Sequence, residues 1–261
     1  MASLRNAGKH TVVMAEKTYD ALAIGAHPDD VEVGCGGTLC RLIDRGHTAA
    51  MTFLTRGEMG TGGTVEIRER EARDAAGIMG VELLPTYDWG DTSLTDSYER
   101  RIEIAQLIRR CKPRIILCPY PQVSYGRRQS HPDHVAAGLI TVNATHLAAL
   151  KKLDSDFEPH LVTRVFNYFL PTGVMPTFVV DITGYYDRWM RSLKAHRSQF
   201  QNPEKEGDYI FHLETMSRAY GQMARCRYGQ GFYSAEPLAI DDPLDLVKIN
   251  AGLSPAKDVQ L

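Results

Sequence analysis

The chain has 261 residues, 43% of them hydrophobic and 24% charged, with a formal charge of −2; that is room for one large α/β domain or two small ones with a core that needs no staples. The near-balanced charge excludes a strong basic field for nucleic acid or an anionic membrane, and no apolar run approaches the roughly 20 residues of a membrane span. The five cysteines, Cys35, Cys40, Cys111, Cys118 and Cys226, are odd in number and form no C-x-x-C pair, so reduced cytoplasmic thiols are expected rather than a disulfide framework.

Met1 to Lys17 lacks the apolar core of a secretory signal. It reads as a disordered tail, with Met14 as an alternative start, and residues 18–261 read as a single domain. Tyr19 to Gly25 is the first predicted strand. A helix follows near Val33 to Arg45, stopped by Gly46, and His47 to Thr55 is a second strand. Arg56 to Gly63 is a glycine-rich loop without the Lys-Ser or Lys-Thr of a phosphate-binding loop; it is expected to be flexible and to lie on the substrate side. Val65 to Gly80 is an amphipathic helix with one charged face, and Arg68, in its first turn, is the Arg placed to reach a substrate anion. Val81 to Tyr87 is a third strand ending at Trp89-Gly90-Asp91, and Ser97 to Cys111 is a helix. Arg114 to Cys118 is a fourth strand, followed by a loop carrying Tyr125, Arg127 and Arg128. Val135 to Leu150 is helical. Thr163 to Leu170 and Phe178 to Ile182 read as strands, Tyr185 to Ser198 and His212 to Arg225 as helices, and Tyr228 onward as an irregular tail. Strand–helix alternation predicts an α/β fold, a Rossmann-like, mostly parallel sheet with helices on both faces and a carboxyl-terminal strand and helix elaboration. No G-x-G-x-x-G follows the first strand, which argues against a dinucleotide site.

Two stretches carry the chemistry. Ala26-His27-Pro28-Asp29-Asp30 follows the first strand, and Ser130-His131-Pro132-Asp133-His134 follows the fourth. One alone reads as a polar turn in which an Asp caps a helix. Two strand-end clusters, each with His-Pro-Asp and both placed at one edge of the sheet, point instead to a shared site. Catalytic zinc sites commonly take three His and carboxylate ligands and leave a position open; His27, Asp30 and His134 supply that set. Asp29 then remains as a general base. His131, held protonated beside Asp133, would stabilise an oxyanion. His47 and His146 read as surface or core residues, and Cys118 as a buried apolar residue rather than a nucleophile.

These two stretches, with Glu32-Val33-Gly34, Gly36-Gly37-Thr38, Arg56-Gly57-Glu58, Arg68 and Glu71-Ala72, resemble the zinc-dependent deacetylases of the LmbE/PIG-L family, from about Tyr19 to about Asp242. The resemblance implies metal ligands at His27, Asp30 and His134, a base at Asp29, an oxyanion histidine at His131 oriented by Asp133, and a substrate contact at Arg68, with Arg127 as a further candidate. It implies Zn²⁺, with Fe²⁺ or Co²⁺ as alternatives, a small sugar conjugate as substrate, and a homo-oligomer, trimer or hexamer. Ala195 to Phe200 and Tyr228 to Leu238 resemble the bacillithiol-biosynthesis branch, which hydrolyses N-acetylglucosaminyl-malate. The alternatives are another N-acetylglucosamine conjugate (chitobiose, a mycothiol precursor or a thiol conjugate) and a metal-dependent binding module without turnover.

Overall fold

The computed structural model describes residues 17–123, 131–201 and 209–244. Its centre is a parallel sheet of β1 (Ala21–Gly25), β2 (Ala49–Phe53), β3 (Glu82–Leu83), β4 (Ile115–Pro119) and β5 (Arg164–Tyr168), in the order β3-β2-β1-β4-β5. Ala21 faces Ala49 on one side and Ile115 on the other. The chain order reverses between β1 and β4, which opens a crevice at their carboxyl ends where open α/β sheets bind ligands. Both His-Pro-Asp stretches leave the sheet there, in its centre.

The helices are α1 (Asp30–Asp44), α2 (Val65–Met79), α3 (Tyr98–Cys111), α4 (Pro132–Ala148), α5 (Tyr186–Ala195), α6 (Arg197–Phe200) and α7 (Tyr209–Met223). Side chains alternate across the pleat, so each strand feeds two cores. Leu22, Ile24, Leu54, Ile116 and Cys118 pack with Ile104, Ile108, Ala137 and Ile140 of α3 and α4. Ala21, Ala23, Met51, Phe53 and Leu117 pack with Val31, Cys35, Leu39, Ala72 and Met79 of α1 and α2. Burial on both faces explains the nearly continuous apolar text of β1, β2 and β4. The α/β architecture is the one the sequence predicts.

Several boundaries differ from those expected. Helix α1 starts at Asp30, because Asp29 turns the chain at φ 126°. Strand β3 keeps two residues, since Pro85 has no N–H for the ladder. The predicted helix Tyr185 to Ser198 breaks at His196, whose ψ of 63° separates α5 from α6. Helix α7 begins at Tyr209, and the expected tail contains a strand, β7 (Gly229–Phe232), antiparallel to β6 (Phe178–Asp181). A bridge between Asn167 and Tyr233 ties this small sheet to β5.

Two close approaches require glycine. A Cβ at Gly138 would lie 2.4 Å from the Pro119 carbonyl, so its absence lets α4 press onto the end of β4. At Gly34 a Cβ would lie 2.1 Å from the Tyr168 ring, which is fully buried and donates its hydroxyl to the Ile24 carbonyl at 2.7 Å. That ring cannot swing away. Gly34→Ala should therefore destabilise by about 1–3 kcal/mol, a melting-temperature loss of roughly 3–10 °C. Gly77→Ala, on an exposed helical position with nothing within 4 Å, should instead raise the melting temperature slightly. Differential scanning calorimetry of the two variants checks both signs.

Candidate active site

At the end of β1 the chain turns around one carboxylate. Asp30 Oδ2 accepts from the backbone N–H groups of Ala26 at 2.8 Å and His27 at 2.9 Å, while Oδ1 lies 3.0 Å from His134 Nε2. Burial opposes its charge, but His134 and His27 hold the carboxyl well below its usual range. His27 Nδ1 is 3.6 Å from Asp30, and its Nε2 is 3.0 Å from Asp91 and 3.2 Å from Asp133. Burial disfavours a charge on this imidazole; the surrounding Asp30, Asp91 and Asp29 carboxylates outweigh it and lift its pKa to about 9. Asp29 adopts a left-handed backbone, a conformation that costs a non-glycine residue about 1–3 kcal/mol and persists only where the surroundings impose it. Burial raises its carboxyl to about 6, against the pull of Arg68.

The second stretch opens α4. His131 is its N-cap, Pro132 follows at the first turn, and the Asp133 N–H donates to His131 Nδ1 at 3.2 Å. With Nδ1 accepting, a neutral ring carries its proton on Nε2. His134 stacks on Phe169 at 4.7 Å. The rings of His27, His131 and His134 lie 4.8–5.4 Å apart.

Two expected roles change. The Asp133 carboxylate, fully buried, accepts from Thr92 and Leu94 N–H groups and contacts His27, not His131; its backbone N–H is what holds the His131 ring. His131 is not held protonated either, because burial and the neighbouring His27 and His134 lower its pKa. Arg68, expected to reach a substrate anion, is 4% exposed; its guanidinium donates to the carbonyls of Gly57 and Pro28, both at 2.8 Å, with Asp29 3.7 Å away. The glycine-rich loop is likewise pinned rather than loose: Met59 N–H donates to Asp91, Asp91 N–H to Glu58, and Gln199 Nε2 to the Gly62 carbonyl. Tyr125, Arg127, Arg128 and Ser130 lie outside the described residues.

Asp91 was not singled out by sequence, although it follows β3 on the carboxyl side of the sheet, as the two motifs follow β1 and β4; its strand position was the available signal. Tyr209 had none: it arrives from the carboxyl-terminal elaboration, half exposed, stacked on Phe200 and His212.

The donors fit a divalent ion. Tetrahedral ligands at about 2.0–2.1 Å sit roughly 3.3 Å from one another; Asp30 comes within 3.6 Å of His27 Nδ1 through Oδ2 and within 3.0 Å of His134 Nε2 through Oδ1. Among the described residues, two groupings have all donor atoms within 4.8 Å of one another, His27 with His131 and His134, and His27 with Asp91 and Asp133; the expected set with Asp30 is not one of them. His27 belongs to every one of these sets. A metal must displace the proton that the metal-free His27 keeps up to about pH 9. The apparent Zn²⁺ affinity of the metal-free protein should therefore rise about tenfold per pH unit between pH 7 and 8.5, read by chelator competition; a flat profile would place the ion away from His27.

The geometry agrees with three comparisons. The family model described as "PIG-L: GlcNAc-PI de-N-acetylase" matches residues 22–145. A diacetylchitobiose deacetylase of Thermococcus kodakarensis is 34% identical over 223 residues, 80% of either chain. Among solved structures, the conserved protein TT1542 of Thermus thermophilus superposes with a TM-score of 0.77 at 37% identity, covering 85% of this chain and 97% of that one. The N,N'-diacetylchitobiose deacetylase of Pyrococcus horikoshii gives 0.75 at 27% identity, covering 94% and 89%. With both motifs at the switch point and a relative of this identity matched over most of its length, the chain belongs to the PIG-L family of de-N-acetylases.

Proposed function

We propose that the protein is a metal-dependent N-deacetylase that hydrolyses the acetamide of an N-acetylglucosamine conjugate to acetate and the free amine. The observation that carries this is the convergence of His27, Asp29, Asp30, His131 and His134 on one crevice. His27, Asp30 and His134 would hold the ion. Bound there, a divalent ion supplies Lewis acidity toward the amide carbonyl and makes hydroxide accessible near neutral pH.

The chain's own groups divide the proton traffic. Asp29, with its carboxyl raised to about 6, is ionised at pH 7 yet basic enough to take a proton from the attacking water. The same proton can pass to the sugar nitrogen as the C–N bond breaks, which lets it leave as a neutral amine. His131 donates from Nε2–H to the carbonyl oxygen as negative charge builds; a neutral imidazole suffices for this. Asp91 and Asp133 face His27 Nε2 and fix the ring orientation, as carboxylates beside metal-bound histidines do. Arg68 is a positioning residue that holds the Pro28 carbonyl.

For the aglycone, malate is favoured by the resemblance of Ala195 to Phe200 and Tyr228 to Leu238 to the bacillithiol branch. A second N-acetylglucosamine is favoured by the 34% identity to a diacetylchitobiose deacetylase. Arg68 is buried with both terminal nitrogens bonded to backbone carbonyls, so a malate carboxylate calls for another cation.

Asp29→Asn should retain bound Zn²⁺ and lose roughly 10²–10⁴-fold in kcat, whereas His27→Ala, Asp30→Ala and His134→Ala should lose metal and activity together. His131→Ala should keep the metal; its loss in that variant would move His131 into the ligand set. Acetate release by the zinc-loaded protein, measured on N-acetylglucosaminyl-malate, diacetylchitobiose and an N-acetylglucosaminyl-inositol, should give the highest kcat/KM for malate. A higher value for diacetylchitobiose reassigns the aglycone, and no release from any conjugate removes the deacetylase reading.

A further inference from the structure

Behind the turn that carries Asp29, the fold buries an ion pair to which the chemistry above gives no task. Glu32 and His196 are both 0% exposed, and His196 Nε2 lies 3.0 Å from Glu32 Oε1. Each keeps a buried polar atom without a protein partner, Glu32 Oε2 and His196 Nδ1. Removing two ionisable groups from water and satisfying only half of their hydrogen-bonding capacity is unfavourable, and an apolar pair of similar volume would fill the space without that penalty. Burial also opposes a charge on His196, yet the Glu32 carboxylate outweighs it and raises the imidazole above its ordinary value. A pair that weakens the fold in this way calls for a reason other than stability.

Its connections supply one. Glu32 lies in the first turn of α1, three residues past Asp29, and its carbonyl accepts from Trp189 Nε1 at 2.7 Å. His196 occupies the break between α5 and α6, and its carbonyl accepts from Gln199 and Phe200 N–H groups at 3.0 Å. From the same short helix, Ser198 binds Glu71 of α2 through N–H at 2.8 Å and Oγ at 2.6 Å, and Gln199 grips Gly62 at 2.6 Å. The pair thus bolts the first turn of α1 to α6, and through α6 to α2 and the glycine-rich loop. One turn earlier on α2, Arg68 holds Pro28. In sequence, Asp29 falls between the held residues Pro28 and Glu32 at φ 126°, a conformation that persists only when its surroundings over-determine it.

We propose that Glu32 and His196 are positioning residues whose buried pairing holds Asp29 in its left-handed backbone conformation, with its carboxylate presented to the crevice. As a statement about turnover, this rests on the deacetylase reading above.

The test compares Glu32→Leu/His196→Phe with the parent, loaded with Zn²⁺ and assayed for acetate release. Replacing both partners should leave the melting temperature within a few degrees, whereas His196→Phe alone, which strands a buried carboxylate, should lower it by roughly 10 °C. The double variant should keep full metal content and a KM within about twofold, and lose at least tenfold in kcat, since a displaced base loses part of the contribution of general-base catalysis. Glu32→Gln, which can still bond His196, should recover part of that loss. A double variant with kcat within twofold of the parent, or one whose loss lies in KM, overturns the proposal.

A second arm needs no turnover. If the pair sustains the strain, Asp29→Gly should raise the melting temperature in the parent and raise it less in the double variant. Equal shifts in the two backgrounds overturn the proposal. A parent that releases no acetate but shows unequal shifts upholds the positioning role and removes only the assigned reaction.

Discussion

The site depends on the two faces of the Asp30 carboxylate. One oxygen takes the N–H groups of Ala26 and His27, which closes the turn after β1; the other faces His134 from a different strand–helix unit. A buried carboxylate is tolerated only when such partners replace water, and here the partners are the neighbouring elements of the site. The turn it closes sets the direction of the His27 ring and the start of α1. Around it lie Asp29, Asp91 and Asp133, facing Arg68 and three imidazoles. That excess of carboxylate in a low-dielectric crevice suits a dication, whose own charge is the largest such a site would contain.

What the sequence disclosed were features with a local cause. The strand-end motifs pair turn-forming Pro with metal-ligating side chains, and the buried runs of β1, β2 and β4 read as strands because both of their faces are covered. The remainder follows from contacts that no local window contains. Gly229–Phe232 has no strand alternation, and pairing with β6 makes it one. His196 interrupts a regular helical pattern, and its side chain is engaged by Glu32, 164 residues away. Asp91 reaches His27 because the loop after β3 returns across the carboxyl ends of the strands to the centre of the sheet. The role expected of Asp133 was right in position and wrong in direction: one Asp offers a backbone N–H and a side-chain carboxylate, and spacing does not say that the N–H, rather than the carboxylate, meets His131.

The same distinction applies to the cationic residue and the loop. An Arg near the site reads naturally as a substrate anchor. Here its planar fork matches two backbone carbonyls from separate segments, Gly57 and Pro28, and rigidity of the crevice is the result. With Asp91 and Gln199 fastening the rest of the loop, the wall of the site is largely preformed, as expected where reacting groups must be held to a fraction of an ångström.

The parallel pairing of β1 with β4 also has a consequence for how the protein is made. His27 and Asp30 belong to the first strand–helix unit, while His134 follows β4, about a hundred residues later; parallel neighbours of this kind pair only after a long crossover has been ordered. At synthesis rates of about 5–20 residues per second, His134 leaves the ribosome roughly 5–20 s after Asp30. With His27, Asp30 and His134 as the proposed ligands, the nascent chain would carry two of the three during that interval. Firm capture of a divalent ion would then belong to a late stage of biogenesis, and the age at which a nascent chain first retains one would mark the moment at which the two halves of the sheet have joined.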